Sequence, residues 1–511
     1  MRSERLRLVV ATIAAGAVVA AWQSNPGTTS RSAIAEQPPQ RPPNQAADKS
    51  TGRAAQPAKS GDDSRAAETP IGARWRPSRW GDDDGRRPVT VSQRDGKTDL
   101  YLSDVPEAAQ AEPSNKTGWP CWRGPKGDNQ SDDSWPAVRW SENDNVVWKS
   151  LIPGRGHATP CIWEDRIFIA TADEQEQVQM LVCYDRRTGK QLWRSDVHRG
   201  QFLPKNEKNS HASATPACDG ERIYVPFMNE GALWLTAADL AGKTVWRQRV
   251  GAYSHANGYA SSPVLFERFV IVASDNKADA CLAAYDRTSG ELAWRVARKP
   301  SDNSGTPIVG RVAGRPQLLL HGAWSVASFD PASGKELWHV EHPTEVAACT
   351  MAFDGDLVFA SGNVPEKETL CVRADGTGDV TATHVVWRTA QQVTYVPSPL
   401  AHAGRLYVIT DSGVARCLEA TTGRELWKKR LPGTFSASPL LVGDNIYATC
   451  ESGATFVFEA ADRFALVARN ELDEECLASP VFCDGRFYLR TATHLYCIGG
   501  VRRSSQEPAL E

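Results

Sequence analysis

The sequence predicts an all-β chain, an eight-bladed β-propeller of four-stranded antiparallel blades. Three observations predict it. A Ser/Thr-Pro pair recurs at Thr159-Pro160, Thr215-Pro216, Ser262-Pro263, Thr306-Pro307, Ser398-Pro399, Ser438-Pro439 and Ser479-Pro480, and Thr350-Met351 fills the one gap. The prolines and Met351 lie 56, 47, 44, 44, 48, 40 and 41 residues apart, a period in the propeller range. The last unit stops after His494 to Ile498 without its Trp strand, whereas Asn145-Val-Val-Trp148-Lys149 is a Trp strand with no unit before it. The first strand is therefore expected to complete the last blade, leaving no large unpaired sheet edge.

One unit shows why each element is a strand. Tyr395-Val-Pro-Ser-Pro-Leu400 is followed by a turn at His402-Ala-Gly404, then Arg405-Leu-Tyr-Val-Ile409. A turn at Asp411-Ser-Gly413 leads into Val414-Ala-Arg-Cys-Leu-Glu419, and a third turn, ending at Gly423, leads into Arg424-Glu-Leu-Trp-Lys428. The runs are rich in Val, Ile, Leu and Tyr, of strand length, and too punctuated by Gly for helices. The closing Trp recurs at Trp193, Trp246, Trp294, Trp338, Trp387 and Trp427, with Val467 in the seventh position.

The closing turn has a fixed spacing of acid, Gly four later and Trp eight later. It is read at Asp185 to Trp193, Asp286 to Trp294, Asp330 to Trp338 and Glu419 to Trp427. Asp239 to Trp246 is one residue short, and Asp375 to Trp387 carries an insertion. This turn resembles the repeat of the pyrroloquinoline quinone (PQQ)-like propeller family, within the quinoprotein alcohol dehydrogenase-like superfamily. The resemblance covers roughly Trp119 to Gly499 and implies that each Trp docks its blade on the next. Lys208-Asn-Ser-His-Ala-Ser-Ala-Thr-Pro216, Arg373 to Trp387 and Cys476-Leu-Ala-Ser-Pro480 resemble a bacterial subfamily of these propellers.

The chain in order begins with a targeting segment. Arg2, Arg5 and Arg7 precede an apolar, Ala-rich stretch from Leu8 to Ala21, about 14 residues long. That is short for a membrane span. Residues 1–21 read as a signal peptide cleaved after Ala21, with an uncleaved inner-membrane anchor over 8–22 as the other reading. No Cys precedes Cys121, so a lipoprotein anchor is not expected. Residues 22–117 are rich in Pro, Ser, Ala, Gln, Asp and Arg and read as a disordered tether. Within them, Val89-Thr-Val and Leu100-Tyr-Leu suit short strands, and Trp75 and Trp80 are either a docking patch or stray linker aromatics. The propeller is placed at 118–500 and a disordered tail at 501–511. Trp119-Pro-Cys-Trp122-Arg-Gly-Pro125, continuing to Trp140, reads as a clasp whose indole N–H groups need partners.

Hydrophobic content of 41% and 17 Trp among 511 residues are ample for a large core. A net charge of −3 gives no electrostatic case for nucleic acid. The chain has 12 Cys and no Cys-x-x-Cys, so neither a zinc site nor a thioredoxin-like motif is expected. Cys183, Cys417 and Cys497 occupy equivalent third-strand positions, which are expected to be small core positions rather than disulfides. Cys476 and Cys483 are close enough in sequence to pair.

Chemistry is expected at the channel mouth, in the connections before each Ser/Thr-Pro. The candidates are His157, Asn209, His211, His255, Asn257, Tyr259, Tyr395 and Glu475, with Asn303, Ser304 and Phe435 beside them. His157, His211 and His255 suit either a shared metal or base site, or separate loop caps. The acidic runs at 171–176 and 473–475 read as solvated loop charge.

Two functions follow. The repeat resembles that of the propeller subunit of bacterial outer-membrane protein assembly, which implies an exported, monomeric binding or scaffold protein of the cell envelope that engages a protein or small ligand and needs no cofactor. The alternative is a quinoprotein-type dehydrogenase using PQQ and calcium, or another envelope enzyme. The dehydrogenases hold PQQ under a ring of two adjacent half-cystines, and no Cys-Cys pair exists in this sequence. No catalytic set is completed by the candidates.

Overall fold

Eight antiparallel sheets succeed one another along the chain, each built from strands that follow in sequence. The computed structural model describes residues 89–94, 97–102, 118–133 and 136–499. All regular structure among them is β. Val89–Arg94 and Lys97–Leu102 form a hairpin by themselves. Residues 1–21, read above as a targeting segment, Trp75, Trp80 and the residues beyond Gly499 lie outside the described residues.

Blade 1 consists of Cys161–Trp163, Arg166–Asp173, Val178–Asp185 and Gln191–Arg199. Blades 2 to 7 follow over 217–252, 264–297, 308–341, 352–389, 400–430 and 440–470. Blade 8 has Val481–Cys483, Arg486–Arg490 and His494–Ile498, and its outer strand is Val146–Leu151. Three sheets gain a fifth strand. Gly118–Trp119 joins blade 1, Gln130–Ser131 joins blade 7 and Gly378–Asp379 joins blade 4. The last of these is the insertion before Trp387, which folds back parallel to Trp338 and His339. Trp338 is fully buried as a result.

The two middle strands of each blade are apolar at consecutive positions, as in Ile167-Phe168-Ile169-Ala170, and all four of these residues are buried. Strands covered on both faces have no polar side to alternate with. The outer strands face solvent and do alternate, as in Val146–Leu151.

The repeat turn explains how blades adhere. The acid caps the turn: Asp185 Oδ1 accepts from the Thr188 backbone N–H at 2.8 Å, and Asp286 Oδ1 from Thr288 and Ser289 at 3.0 Å. The indole N–H of the preceding blade donates to the carbonyl one residue after the acid. Trp148 reaches Arg186 O at 3.1 Å, Trp193 reaches Leu240 O at 3.1 Å, and Trp246 reaches Arg287 O at 3.0 Å. Trp387 reaches Ala420 O at 2.8 Å. In blade 4 that position is Pro331, and there the Trp294 N–H has no partner.

The indole lies flat on the turn glycine. A Cβ on Gly290, whose φ is +75°, would stand 2.7 Å from Trp246 Cδ2. Gly189, Gly242, Gly334 and Gly423 meet Trp148, Trp193, Trp294 and Trp387 in the same way. Opposite each Trp, on the third strand, stands a small residue. Cys183, Cys371, Cys417 and Cys497 pair with Trp193, Trp387, Trp427 and Trp148. Ala237, Ala284 and Ser328 do so in blades 2 to 4. All twelve Cys are free, and Cys476 and Cys483 do not pair. The cysteines opposite Trp serve as small apolar residues.

Where Val467 replaces the repeat Trp, the N-terminal clasp supplies Trp140. It stacks on Tyr447 of blade 7 at 6.2 Å and packs on Phe487 of blade 8 at 5.4 Å. Asn470 holds it, accepting from the Trp140 N–H and donating to Val138 O, each at 2.9 Å.

Gly290→Ala and Gly314→Ala separate the docking contact from the backbone cost. Both glycines have positive φ, at +75° and +74°, but nothing lies within 4 Å of a Cβ at Gly314. Each substitution carries the left-handed cost of about 1–2 kcal/mol. Gly290→Ala is expected to lose about 1–3 kcal/mol more, because Trp246 must shift. Guanidinium unfolding of the two variants measures this, and equal losses would rule out a tight dock.

Candidate functional site

Each inner strand runs from the face that carries the inter-blade connections to the face that carries the Trp-docking turns. The two faces are therefore chemically distinct. A strap formed by 118–133 closes the docking-turn face. Trp119 pairs with Ile162 of blade 1, and Pro120 O accepts from the Cys218 N–H of blade 2 at 2.8 Å. Asn129 Nδ2 donates to Pro439 O at 2.6 Å and Gln130 Nε2 to Ala401 O at 2.9 Å. Midway, Trp122 enters the channel and donates its indole N–H to Thr350 Oγ1 at 2.9 Å.

The hydroxyls of the Ser/Thr-Pro pairs form a girdle around the axis. Each backbone N–H donates to the hydroxyl of the next blade: Thr159 to Thr215, Thr215 to Ser262, and Ser262 to Thr306, at 2.9–3.1 Å. The series continues from Thr350 to Ser398, Ser398 to Ser438, and Ser438 to Ser479, at 2.9–3.0 Å. The Pro that follows has no N–H to satisfy. The repeat marks these positions in the sequence, but spacing alone does not show that their hydroxyls link neighbouring blades. Those of Ser262, Thr306, Thr350, Ser398, Ser438 and Ser479 line an axial cavity of about 130 Å³ with Trp122 and His157.

Of the predicted residues, Ser304 lines this cavity, and so does His157. Burial, reinforced by the nearby Arg490 charge, pushes its pKa down to about 3. Its Nε2 is buried without a partner. Asn209 braces two connections, donating to Asn257 O at 2.6 Å and accepting from Ser213 Oγ at 2.6 Å. His211 stacks on Phe202 at 4.2 Å, 3.9 Å from Glu174, and burial lowers it to about 4. His255 accepts from the Asn257 N–H at Nδ1, 3.0 Å away. Its Nε2 therefore carries the proton toward Asn303 O at 3.3 Å. Tyr259 is a buried core residue that donates to Ala273 O at 3.2 Å, and Phe435 is likewise core. Asn303 bonds Asp275, itself paired with buried Arg298 at 2.6 Å. Among the described residues, no three His, Cys, Asp or Glu are placed to hold a metal ion.

Glu475 is exposed, and only its backbone carbonyl is engaged, by the Ala492 N–H. Its neighbour Glu474 is the structured carboxylate. Burial opposes its ionisation, but hydrogen bonds from Thr491, Thr493 and Lys149 prevail and hold it at about 2. Glu174 is also paired, with Arg155 at 3.5 Å and Lys205 at 3.4 Å. Glu474 is thus a loop anchor, whereas Glu174, Glu176, Asp473 and Glu475 are exposed loop charges.

The connection over 200–213 crosses the mouth. Lys208 Nζ lies 3.0 Å from both carboxylate oxygens of Glu451 on blade 7, and Ser436 and Thr434 donate to the same carboxylate. Tyr395 lines a larger crevice between blades 5 and 6, about 490 Å³, with Asn363, Lys367, Asp411 and Arg416. Asp411 accepts from the Tyr395 and Val396 N–H groups at 3.0 and 3.2 Å.

The buried histidines fix a pH dependence. His157 and His342 are lowered to about 3, and His198, His211 and His321 to about 4, from 6.5. Above 6.5 these groups are neutral in both folded and unfolded chains. As pH falls below 6.5 the unfolded chain takes up protons that the folded chain refuses, so stability falls. Urea unfolding is expected to show lower stability at pH 5 than at pH 7.5. His157→Gln is expected to reduce that difference, and a pH-independent midpoint would contradict the assignment.

Comparison with known proteins now has a geometry to match. The chain is 24% identical over 288 residues to tetrathionate hydrolase of Acidithiobacillus ferrooxidans, a match spanning 53% of each protein. It thus covers about half the length of that relative. The structure of BamB from Moraxella catarrhalis superposes with a TM-score of 0.52 at 12% identity, over 71% of this chain and 99% of that one. The quinohemoprotein alcohol dehydrogenase of Comamonas testosteroni superposes with a TM-score of 0.52 at 13% identity, over 77% of this chain and 82% of that one. Such identities establish the shared fold alone. A family profile described as outer membrane protein assembly factor BamB matches residues 177–377 and 322–466, more than half of the chain. Together with the eight docked blades, that match means the chain belongs to the BamB family of PQQ-repeat propellers.

Proposed function

We propose that this chain is an exported binding or scaffold protein of the bacterial cell envelope, which engages a protein or ligand through its loop face and works without bound PQQ. The observation that carries this reading is how the polar groups of the mouth are used. Asn209, Asn257, Lys208 and Glu451 are bonded to one another's loops, and hold them as a shaped surface. They do not converge on a common point as a calcium shell of six to eight oxygens requires.

The residues present do not fit PQQ. The group is a three-ring tricarboxylate, whereas small-molecule pockets run to about 300–1,000 Å³ and the axial cavity is about 130 Å³. The 490 Å³ crevice is large enough but sets Asp411 beside Lys367 and Arg416, a mixed wall that does not single out a tricarboxylate. No reaction step is derived through the cofactor. The crevice, with Tyr395 and the exposed Lys367 at its rim, suits a partner's side chain or a small polar ligand. Export and the envelope location rest on the basic, apolar N-terminus and on the family.

Calorimetric titration of the full chain with PQQ and calcium tests the cofactor-free reading, and no saturable heat is expected. Micromolar or tighter binding would overturn it. A photo-crosslinker placed at Lys367 in envelope extracts is expected to give one discrete adduct. The same group at Glu267, on the docking-turn face, is expected to give none, and equal labelling at both positions would remove the loop face as the binding surface.

A further inference from the structure

The axial cavity has a chemistry that the loop-face reading does not use. Six of its lining hydroxyls belong to Ser262, Thr306, Thr350, Ser398, Ser438 and Ser479. Each oxygen already accepts one N–H, five from the backbone of the preceding blade and Thr350 from Trp122. A hydroxyl also has one proton to donate. Among the described residues, no protein acceptor takes these six protons. The six lining hydroxyls therefore each keep a proton free to be donated into the cavity, and no carboxylate lines it.

Two guanidinium groups are buried beside this ring, each only 1% exposed. Arg490 donates to Ala158 O and Ala170 O on either side of the blade 1 inner edge. It thereby backs onto His157, which lines the cavity. It has no carboxylate partner among the described residues, and burial lowers it only to about 9, so it remains a cation at neutral pH. Arg123 follows Trp122 and donates to Pro399 O at 3.0 Å, directly after Ser398 of the ring. The carboxylates nearest the mouth are committed elsewhere. Glu451 holds Lys208, Ser436 and Thr434. Asp411 takes two backbone N–H groups, and Asp128 offsets Arg123 in part. Converging donors with an unneutralised buried cation favour negative charge.

We infer that the axial cavity binds a small inorganic anion of halide size, held by the Ser/Thr hydroxyl girdle and balanced by Arg490. A ring of single donors around an axis suits a spherical ion, and bound anion would tie neighbouring blades together through the same hydroxyls that link them pairwise.

Crystals of the full chain grown in sodium bromide test this by anomalous diffraction at the bromine edge. A peak on the axis among the six hydroxyls is expected. A cavity that holds only water, or bromide confined to the outer surface, overturns the inference. Thermal unfolding in bromide, nitrate and gluconate at matched ionic strength gives a second readout. The halide midpoint is expected several degrees above gluconate, and a nitrate effect exceeding bromide would replace halide with an oxyanion. Ser438→Ala also loses an inter-blade hydrogen bond, so its absolute midpoint is not the readout. Its halide-minus-gluconate difference is expected to shrink by at least half, and an unchanged difference would place the effect outside the cavity.

Discussion

The docking of a blade tryptophan on the turn glycine of the next blade, made by Trp148, Trp193, Trp246, Trp294 and Trp387, is the contact on which the ring depends. An indole is the largest apolar body available to an outer strand, and it lies flat only where no Cβ intervenes. The acid, the glycine and the tryptophan are thus one device spread over two blades. The acid folds the turn, the glycine gives it a left-handed residue and a flat floor, and the carbonyl beside the acid receives the indole N–H. The small residue across the strand from each Trp completes the slot. This explains why the cysteines are scattered around the ring and paired with nothing. Where the tryptophan itself is missing, at Val467, the chain brings an indole from elsewhere, Trp140.

The docking device joins neighbours, but a ring must also be held shut. The strand Val146–Leu151 lies against His494–Ile498, joining early and late parts of the chain in one sheet. Arg186 ties blade 1 to blade 8 by donating to Tyr488 Oη at 2.9 Å and Cys483 O at 3.2 Å. The strap adds contacts to blades 1, 2, 5, 6 and 7 across the docking-turn face. That arrangement has a functional consequence. With Trp122 in the channel and the strap across one end, the open approach is from the loop face, and there the crossing at Lys208 and Glu451 narrows it further.

The candidate residues sort by what they touch. His157 alone of the eight borders the axial cavity, and Tyr395 borders the crevice between blades 5 and 6. Asn209, Asn257 and His255 form one hydrogen-bonded brace between connections, and Tyr259 belongs to the core. Reading polar residues before each Ser/Thr-Pro selects one end of the channel, because connections must lie at strand ends. It did not distinguish a side chain that faces the channel from one that holds its own loop. Glu474 and Glu475 show the limit: adjacent carboxylates in one loop, one bonded to five partners and one exposed.

The sequence by itself determined the blade count, the order of strands within a blade and the docking turn, although the inner strand of the unit read from Tyr395 to Leu400 runs over Leu400–His402. Each of these rests on local spacing: a proline after a hydroxyl, a glycine four residues from an acid, a tryptophan eight residues on. Local spacing is enough because a repeat contacts mainly its neighbours. The strap in the channel, the hydroxyl girdle and the loop across the mouth were decided only by tertiary structure. Trp122 meets Thr350 across 228 residues, and Lys208 meets Glu451 across 243. Contacts of that range arise when the ring closes and brings eight separate strand ends to one axis, and no periodicity in the chain encodes which side chains then face each other.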